Sequence, residues 1–395
     1  MRKKRLRAPF YILLIIVLAI IGLINYDKIE EKLKPREELN LSELKENFLI
    51  DVSDTTINMS VIGDIMCHNT QYNDAYNNKT GLYDFSYVFD DIKKYIEIAD
   101  ISIGNLETTF AGSYRGYSSY PTFNTPEAMA TDLKELGIDV LSTVNNHSLD
   151  KGYSGLVNTI EELNKVGINH TGTYLSEEES QEILMLDVKG IKISFLAYTY
   201  GTNGIPIPSG KEYCINMIED EKIISDLQKA KNLNPDLIVV NMHWGVEYAQ
   251  SPNKEQKRLA ELLFKNGADI ILGSHPHVLQ KMEKVEITFE NGSKKDGFII
   301  YSLGNFISGQ VKNYTKQSAI LNIAITKDGV NGNISIDSVN YTPIYMSKLG
   351  KYKLLDIEEE IRKYEEGQRN IDSSIYETLK TELSHIYKIL ENETN

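Results

Sequence analysis

The sequence predicts an α/β fold, a layered sandwich of two sheets with helices outside. Three observations predict it. Apolar, β-rich runs alternate with stretches at helical spacing through the front half of the chain. From Lys284 onward, strand-like runs follow one another with no helix between them. Five runs end in short clusters of metal-ligand or acid/base residues: Gly63-Asp64, Asn105-Leu106-Glu107, Asn145-Asn146-His147, His243-Trp244-Gly245 and Ser274-His275-Pro276-His277. In open α/β sheets ligands bind beyond the carboxyl ends of the strands, so neighbouring strands of one sheet would carry all five clusters to one rim.

Each element has a local justification. Ile57–Ile62 reads as a strand ending at Gly63-Asp64. Phe85–Ile98 holds Val88, Phe89, Ile92 and Ile96 at helical spacing, and Ala99–Ile103 reads as a strand. Thr125-Pro126 opens a helix to Leu136, with proline at a favoured first position and Gly137 ending it. Ile138–Thr143 is a strand, and Tyr153–Val166 a helix stopped by Gly167. Strands near Ile183–Val188 and Ile191–Tyr198 precede a helix from Met217 to about Lys231. Leu237–Met242 and Ala268–Leu272 read as buried strands around a helix, Glu255–Asn266. Lys284–Phe289, Phe298–Ser302, Ala319–Thr326 and Ile334–Tyr341 complete the strands, with hairpin signals at Asn291-Gly292 and Asp328-Gly329. The tail from Asp356 is helical, and Ile371, Ile375, Leu379, Leu383, Ile386 and Leu390 form a stripe expected to pack on the body.

The division expected along the chain is a basic end and transmembrane signal anchor at 1–27, a juxtamembrane stalk at 28–55, the body at 56–345 and a helical tail at 346–395. Arg2, Lys3, Lys4, Arg5 and Arg7 precede an unbroken apolar stretch, Phe10 to Ile24. With its flanks this run approaches the roughly 17–25 residues that span a bilayer. A cleaved signal peptide is the rival, but no A-x-A-like site and no lipobox cysteine follow. The anchor reading places the basic end in the cytoplasm and the body outside the cell, single-pass.

Formal net charge is −14, and because the first ten residues hold five cations and no acid, the remainder carries −19. Such a body repels DNA, RNA and anionic lipid, and no basic patch with interleaved aromatics offsets it, so no nucleic-acid partner is expected. Cys67 and Cys214 make no disulfide framework and no CxxC; two separate buried thiols are the expectation.

The chemistry lies at the strand ends. Asp64 and Glu107 suit a hard divalent cation as a terminal and a bridging oxygen ligand, although Asp and Glu also cap helices there. In Val144-Asn145-Asn146-His147 an asparagine carbonyl offers a ligand and the adjacent histidine an acid or base. His243 follows a buried run, where a lone histidine is more often structural. His275-Pro276-His277 is the most specific local signal: two histidines one residue apart reach one metal or two adjacent ones, and proline stiffens the turn. The candidate set is Asp64, Glu107, Asn146, His243, His275 and His277, with His147 as general acid; a two-metal cluster would hold its ions about 3.5–4 Å apart. His170 and His385 read as structural, and His68, four residues past Asp64, is open.

The order G-D-I-M, N-L-E-T, N-N-H-S-L-D-K-G, H-W-G-V-E-Y, G-A-D-I-I-L-G-S-H-P-H-V-L-Q and Y-S-L-G-N-F resembles the CapA family of poly-γ-glutamate capsule synthesis proteins, from about Met59 to Phe306. That family is similar to calcineurin-like metallophosphoesterases, which implies a four-layer αββα sandwich of the metallophosphoesterase type, here preceded by one transmembrane helix. The resemblance implies Asp64 as first-motif aspartate, Glu107 in place of the bridging aspartate, Asn146 as ligand and His147 as acid/base. It places His243 and His275 on one metal and His277 with Asp64 on the other. One departure matters: where the superfamily carries D-x-H, this chain has Asp64-Ile65-Met66, and methionine is a poor ligand for Mg, Mn or Zn. His68 is the substitute on offer, at a different spacing. The expectation is one well-formed metal position and a second, weakened one.

The function this implies is a membrane-anchored, extracellular protein of capsule or poly-γ-glutamate biosynthesis, export or attachment, with membrane synthesis proteins as partners. Its cofactor would be a divalent metal, Mn, Zn, Fe or Mg, clamping polymer carboxylates or polarising an amide or phosphoryl group. Arg115, in the loop after Glu107, with Glu247 and Asn305, are the candidate substrate contacts for poly-γ-glutamate or another envelope polymer. A metal-dependent hydrolase or transferase acting on phosphoesters or peptide amides, and a non-catalytic scaffold, stay open beside it.

Overall fold

The computed structural model describes residues 53–288, 292, 294–368 and 371–391. The expected transmembrane segment and most of the stalk lie outside them, as does part of the hairpin expected at Asn291-Gly292. Among the described residues no helix is long and apolar enough to cross a membrane.

The chain begins with β1 (Thr55–Ile65), then α1 (Asn69–Ala75), a ribbon of β2 (Tyr76–Asn77) and β3 (Leu82–Tyr83), α2 (Lys93–Glu97), β4 (Ile101–Leu106), α3 (Ala128–Leu136), β5 (Val140–Ser142), α4 (Gly152–Val166) and β6 (Asn169–Thr171). It continues through α5 (Glu177–Ser180), β7 (Leu184–Val188), β8 (Ile191–Thr199), α6 (Asp220–Asn232), β9 (Leu237–His243), α7 (Lys254–Lys265) and β10 (Ile270–Ser274). Then come β11 (Met282–Thr288), β12 (Lys294–Ile300), β13 (Asn305–Ile307), β14 (Gln317–Lys327), β15 (Ile334–Leu349), β16 (Lys351–Asp356), α8 (Ile357–Glu365) and α9 (Ser373–Leu390).

Two mixed sheets result. One runs β16-β15-β14-β1-β4-β5-β6 with β13 beside β1; the other runs β11-β12-β10-β9-β8-β7. Ile57, Met59, Val61, Ile101 and Ile103 of the first sheet share one core with Ile193, Phe195, Val239, Ile270 and Ile300 of the second. The opposite face of the first sheet (Ile62, Leu106, Leu141) packs on Met129, Leu133 and Leu136 of α3. The opposite face of the second (Ile238, Val240, Ile271) packs on Ile223 and Leu227 of α6 and Leu259 and Leu263 of α7. Strands covered on both faces are apolar almost throughout, which is why β9 shows no alternation.

Local signals place most boundaries. Gly137 and Gly167 end α3 and α4 in the left-handed conformation, φ 105° and 76°, as the sequence predicts. Asn253 and Gln256 cap α7 reciprocally, each backbone N–H donating to the other side chain at 3.0 and 2.8 Å.

Several expectations change. The five runs do not belong to one sheet: β1, β4 and β5 lie in the first, β9 and β10 in the second. Their carboxyl ends still meet, because the sheets face one another. Phe85–Ile98 is no continuous helix but a 3₁₀ turn, Ser86–Phe89, and the short α2. Val88, Phe89, Ile92 and Ile96 are buried nonetheless, since a broken helix serves the same spacing. The turn expected at Asp328-Gly329 is longer: the Asp328 N–H donates to the Asn333 carbonyl at 2.9 Å. The segment 346–395 is not helical throughout, because β15 runs on to Leu349 and pairs with β16. The tail helices do pack on the body, with Leu379, Ile386 and Leu390 in the inter-sheet core cluster. Cys67 and Cys214 are free and buried.

Candidate metal centre

Two glycines seat the strand ends that build the rim. A Cβ on Gly63 would stand 2.0 Å from the Gly304 carbonyl oxygen, and one on Gly273 2.0 Å from that of Tyr301. Only glycine lets β1 and β10 lie this close to the 301–304 turn. Beyond them, Asp64 and His275 emerge buried.

Asp64 is fully buried. Its Oδ1 accepts from Asn105 Nδ2 at 2.8 Å, its Oδ2 from the His275 N–H at 3.3 Å, and His277 Nδ1 stands 3.2 Å from Oδ2. Burial pushes the Asp64 carboxyl up, but the hydrogen bond and charge of His277 outweigh it and hold it below its ordinary value. Glu107, also fully buried, is the opposite case. His243 Nε2 approaches its Oε1 to 3.4 Å and His277 Nε2 to 3.8 Å, yet neither carboxylate oxygen has a hydrogen-bond partner. Burial drives this carboxyl up to about 8.

His243 and His275 are kept neutral by burial, His243 at about 3 and His275 at about 2, with the neighbouring histidines adding repulsion. His243 Nδ1 lies 3.0 Å from Ser274 Oγ, and its Nε2 lies 2.8 Å from Asn146 Oδ1. His275 Nδ1 is buried without a partner. His277 is lowered by burial and lifted further by the facing Glu107 and Asp64, to about 9. His275 and His277 both take positive φ, 94° and 59°. Such backbone strain clusters at functional sites.

These side chains form two groups with ligand atoms within 4.8 Å of one another, Glu107/His243/His275 and Asp64/Glu107/His277. Glu107 belongs to both. A buried carboxylate with two unpartnered oxygens, a buried orphan imidazole nitrogen and two neutral histidines fit a pair of divalent cations with Glu107 shared. Asn146 joins the histidine group through His243, its Nδ2 donating to Asn203 Oδ1 at 3.1 Å.

His147 is buried beside this set. Its Nδ1 stands 2.7 Å from Asp150 Oδ2, and its ring meets Phe123 edge-on at 4.8 Å. Phe123 N–H donates to the same Asp150 oxygen at 2.6 Å. Asp150 therefore fixes the tautomer and leaves Nε2 for proton exchange.

The other sequence candidates fall differently. Glu247 is exposed, and its charge reaches Glu107, His243 and His277. Asn305 sits on β13 directly beside Asp64. Arg115 is exposed and turned to Ser154 Oγ, at 2.6 Å, and the Tyr114 hydroxyl, at 3.0 Å. His68 Nδ1 accepts from the Gly309 N–H at 3.0 Å, outside both groups. His170 pairs with Glu179 at 3.9 Å and His385 stacks on Tyr314 at 3.9 Å, in keeping with structural roles.

Sequence reasoning missed four participants. Asp150 lies three residues after His147, a spacing visible in N-N-H-S-L-D. Asn105 stood inside a flagged cluster. Tyr200 stacks on His243 at 6.2 Å and leans on His275 at 4.5 Å, and Tyr248 meets His277 at 6.1 Å; no local pattern marks either tyrosine.

Residues 58–310 match the family described as bacterial capsule synthesis protein PGA_cap. The capsule biosynthesis protein CapA of Bacillus anthracis is 29% identical over 280 residues, covering 69% of this chain and 65% of that protein. The PGA biosynthesis protein CapA of Bacillus subtilis (strain 168) is 30% identical over 290 residues, covering 70% of each. The chain thus spans about two thirds of the length of these relatives. Among solved structures, a putative 5'-nucleotidase from Staphylococcus aureus aligns with TM-score 0.47 at 14% identity, over 84% of this chain and 58% of that one. The calcineurin-like phosphoesterase YfkN from Bacillus subtilis aligns with TM-score 0.43 at 14% identity, over 73% and 90%. The match over 58–310 takes in every strand end that meets at the rim, and by it the chain belongs to the bacterial capsule synthesis protein family PGA_cap.

Proposed function

We propose that this chain serves the synthesis, export or attachment of an anionic envelope polymer, poly-γ-glutamate first among them, from the outer face of a cell membrane. In this reading it carries a pair of divalent cations at its rim. The observation that carries the reading is Glu107, a buried carboxylate with both oxygens unpartnered between Asp64/His277 and His243/His275. Two buried carboxylate oxygens without a hydrogen bond are costly to leave so, and a cation pair would satisfy both. When bound, divalent ions polarise an amide or phosphoryl oxygen and neutralise polymer carboxylates.

The chain's own residues do the rest. Asp150 orients His147, which exchanges a proton at Nε2. Ser274 orients His243. Tyr200 and Tyr248 wall the histidines on two sides. The −19 body repels a polyanion, so attraction must come from the centre itself. The basic N-terminal cluster and the apolar run after it support the anchored, outward-facing orientation, with the membrane proteins that make the polymer as partners. The names of the two Bacillus relatives, capsule biosynthesis and PGA biosynthesis, support the polymer.

A second reading, hydrolysis of phosphoesters or peptide amides in the envelope, draws on the His147–Asp150 pair. One experiment separates them. The full chain, purified in detergent, is analysed for metal, then offered poly-γ-glutamate and a phosphodiester panel with Mn or Zn. Metal-dependent binding or processing of poly-γ-glutamate is the expected result. Turnover of phosphodiesters alone selects the second reading, and a chain that takes up no divalent metal sinks both.

A further inference from the structure

The Asp64 side of the centre gathers Asp64, Glu107 and His277, and the family resemblance places Met66 where a histidine is expected. We propose that Asn305 takes that place, with its side-chain carbonyl oxygen as a ligand of the cation held by Asp64, Glu107 and His277. The inference rests on the metal reading above and deepens it.

Strand register puts Asn305 in position. Asp64 of β1 is level with Asn105 of β4 on one side and with Asn305 of β13 on the other. Paired residues at one level of a sheet project to the same face, on strands about 4.8 Å apart. That face is the inter-sheet face, because Ile101 and Ile103 precede Asn105 in the inter-sheet core, while Leu106 after Asn105 and Phe306 after Asn305 pack in the outer cluster; the strand is irregular beyond that point, where the register shifts and Ile307 stays in the outer cluster. A row of three polar side chains therefore crosses the rim, with the carboxylate in the middle.

The two asparagines are turned oppositely. Asn105 points its amide nitrogen at Asp64, donating to Oδ1 at 2.8 Å. Asn305 has its nitrogen tied elsewhere, donating to the Thr315 carbonyl and to Gln310 Oε1, each at 3.0 Å. The Thr315 carbonyl is only an acceptor, so it fixes which end of the amide is nitrogen. The Asn305 oxygen is left buried without a partner, in a residue 2% exposed. Buried polar atoms are nearly always satisfied, and an amide oxygen is a good ligand for a hard cation.

Asn105 Oδ1 is likewise buried without a partner, but that amide presents its nitrogen to Asp64 and His243, at 2.8 and 3.4 Å; the other rivals are engaged or unsuited. His68 Nδ1 is occupied by the Gly309 N–H, and the Met66 thioether is soft. With Asn305 in place, the Asp64 side presents three oxygen donors and one imidazole. The other side presents two imidazoles, Glu107 and Asn146. The two positions then differ in hardness, and the oxygen-rich one favours Mn or Mg.

The test uses the full chain in detergent, stripped of metal and titrated with Mn, read by elemental analysis and by electron paramagnetic resonance. The unaltered chain is expected to take two equivalents with a spin-coupled signal. Asn305→Ala should keep one equivalent, lose the coupling, and bind the second at least about tenfold more weakly, the scale seen when a metal's supporting residues are removed. Asn305→Asp, which keeps an oxygen, should hold both. Met66→His added to Asn305→Ala should restore the second equivalent. Retention of both equivalents at unaltered affinity in Asn305→Ala overturns the assignment, as does loss of both. An unaltered chain that binds no Mn overturns the metal reading itself, and this inference with it.

Discussion

The two halves of the rim reach similar ends by different means. On the His243/His275 half, burial keeps both imidazoles neutral, Ser274 holds one of them, and Asn146 lies against the same ring. On the Asp64/His277 half, the ligands hold one another as an ion pair, which lowers the carboxyl and lifts the imidazole to about 9. His275 waits for a cation with an unpartnered Nδ1, and His243 is neutral though hydrogen-bonded at both ring nitrogens, whereas the ion-paired ligands must exchange a charged partner to receive it. Glu107 belongs to both halves, faced by His243 at 3.4 Å and His277 at 3.8 Å, and accepts no hydrogen bond in either. The difference teaches that the half resting on supporting hydrogen bonds is prepared for a metal. The Asp64/His277 half leans on its charged ligands.

The largest test of this contrast is Glu107→Gln. It should abolish uptake in both halves, read as metal content. The melting temperature of the metal-free chain should hold, because burial already pushes the Glu107 carboxyl up to about 8 and the amide matches its neutral form in size. Next is Gly273→Ala. Its Cβ would meet the Tyr301 carbonyl oxygen, so a loss of about 3 kcal/mol or more in denaturant unfolding is expected, dragging the histidine half out of place. Gly63→Ala should act similarly through the Gly304 carbonyl, but first on the Asp64 half.

His147→Ala separates chemistry from binding. Metal content should be unchanged in both halves, while turnover on whichever polymer or ester is processed falls by about 10²–10⁴; a parallel loss of metal would place His147 among the ligands instead. Ser274→Ala sharpens the comparison more finely. It should weaken the histidine half by about 10–100-fold in metal affinity and leave the Asp64 half alone. Equal weakening of both halves in a Mn titration would break the division. The smallest effect is Arg115→Ala. The side chain is exposed and bonded to Ser154 and Tyr114, so stability should change by no more than about 0.5 kcal/mol. Any change in polymer binding would show that the loop reaches substrate.

Much of this centre was legible in the sequence because each ligand follows a strand, and strands announce themselves by apolar runs bounded by glycine, as in V-I-G-D and I-I-L-G-S-H. His275-Pro276-His277 and Asn146-His147 are local patterns whose spacing alone brings donors together. Asp150 was also within reach, three residues from His147. Tyr200 and Tyr248 were not: their aromatic rings reach the histidines through folding between segments that no periodicity links.

The sequence by itself determined the kind of fold and the residues at the strand ends, because these follow from side-chain period and local chemistry. Only the tertiary structure decided that the five strand ends come from two facing sheets, that Glu107 stands without a hydrogen bond between two groups, and that Asn305 lies level with Asp64. The reason is physical. Local patterning sets which face of a strand is apolar, but which strands lie side by side is chosen by the shared core of the two sheets. β13, three residues long, has no pattern of its own and exists only because β1 is there to pair with it.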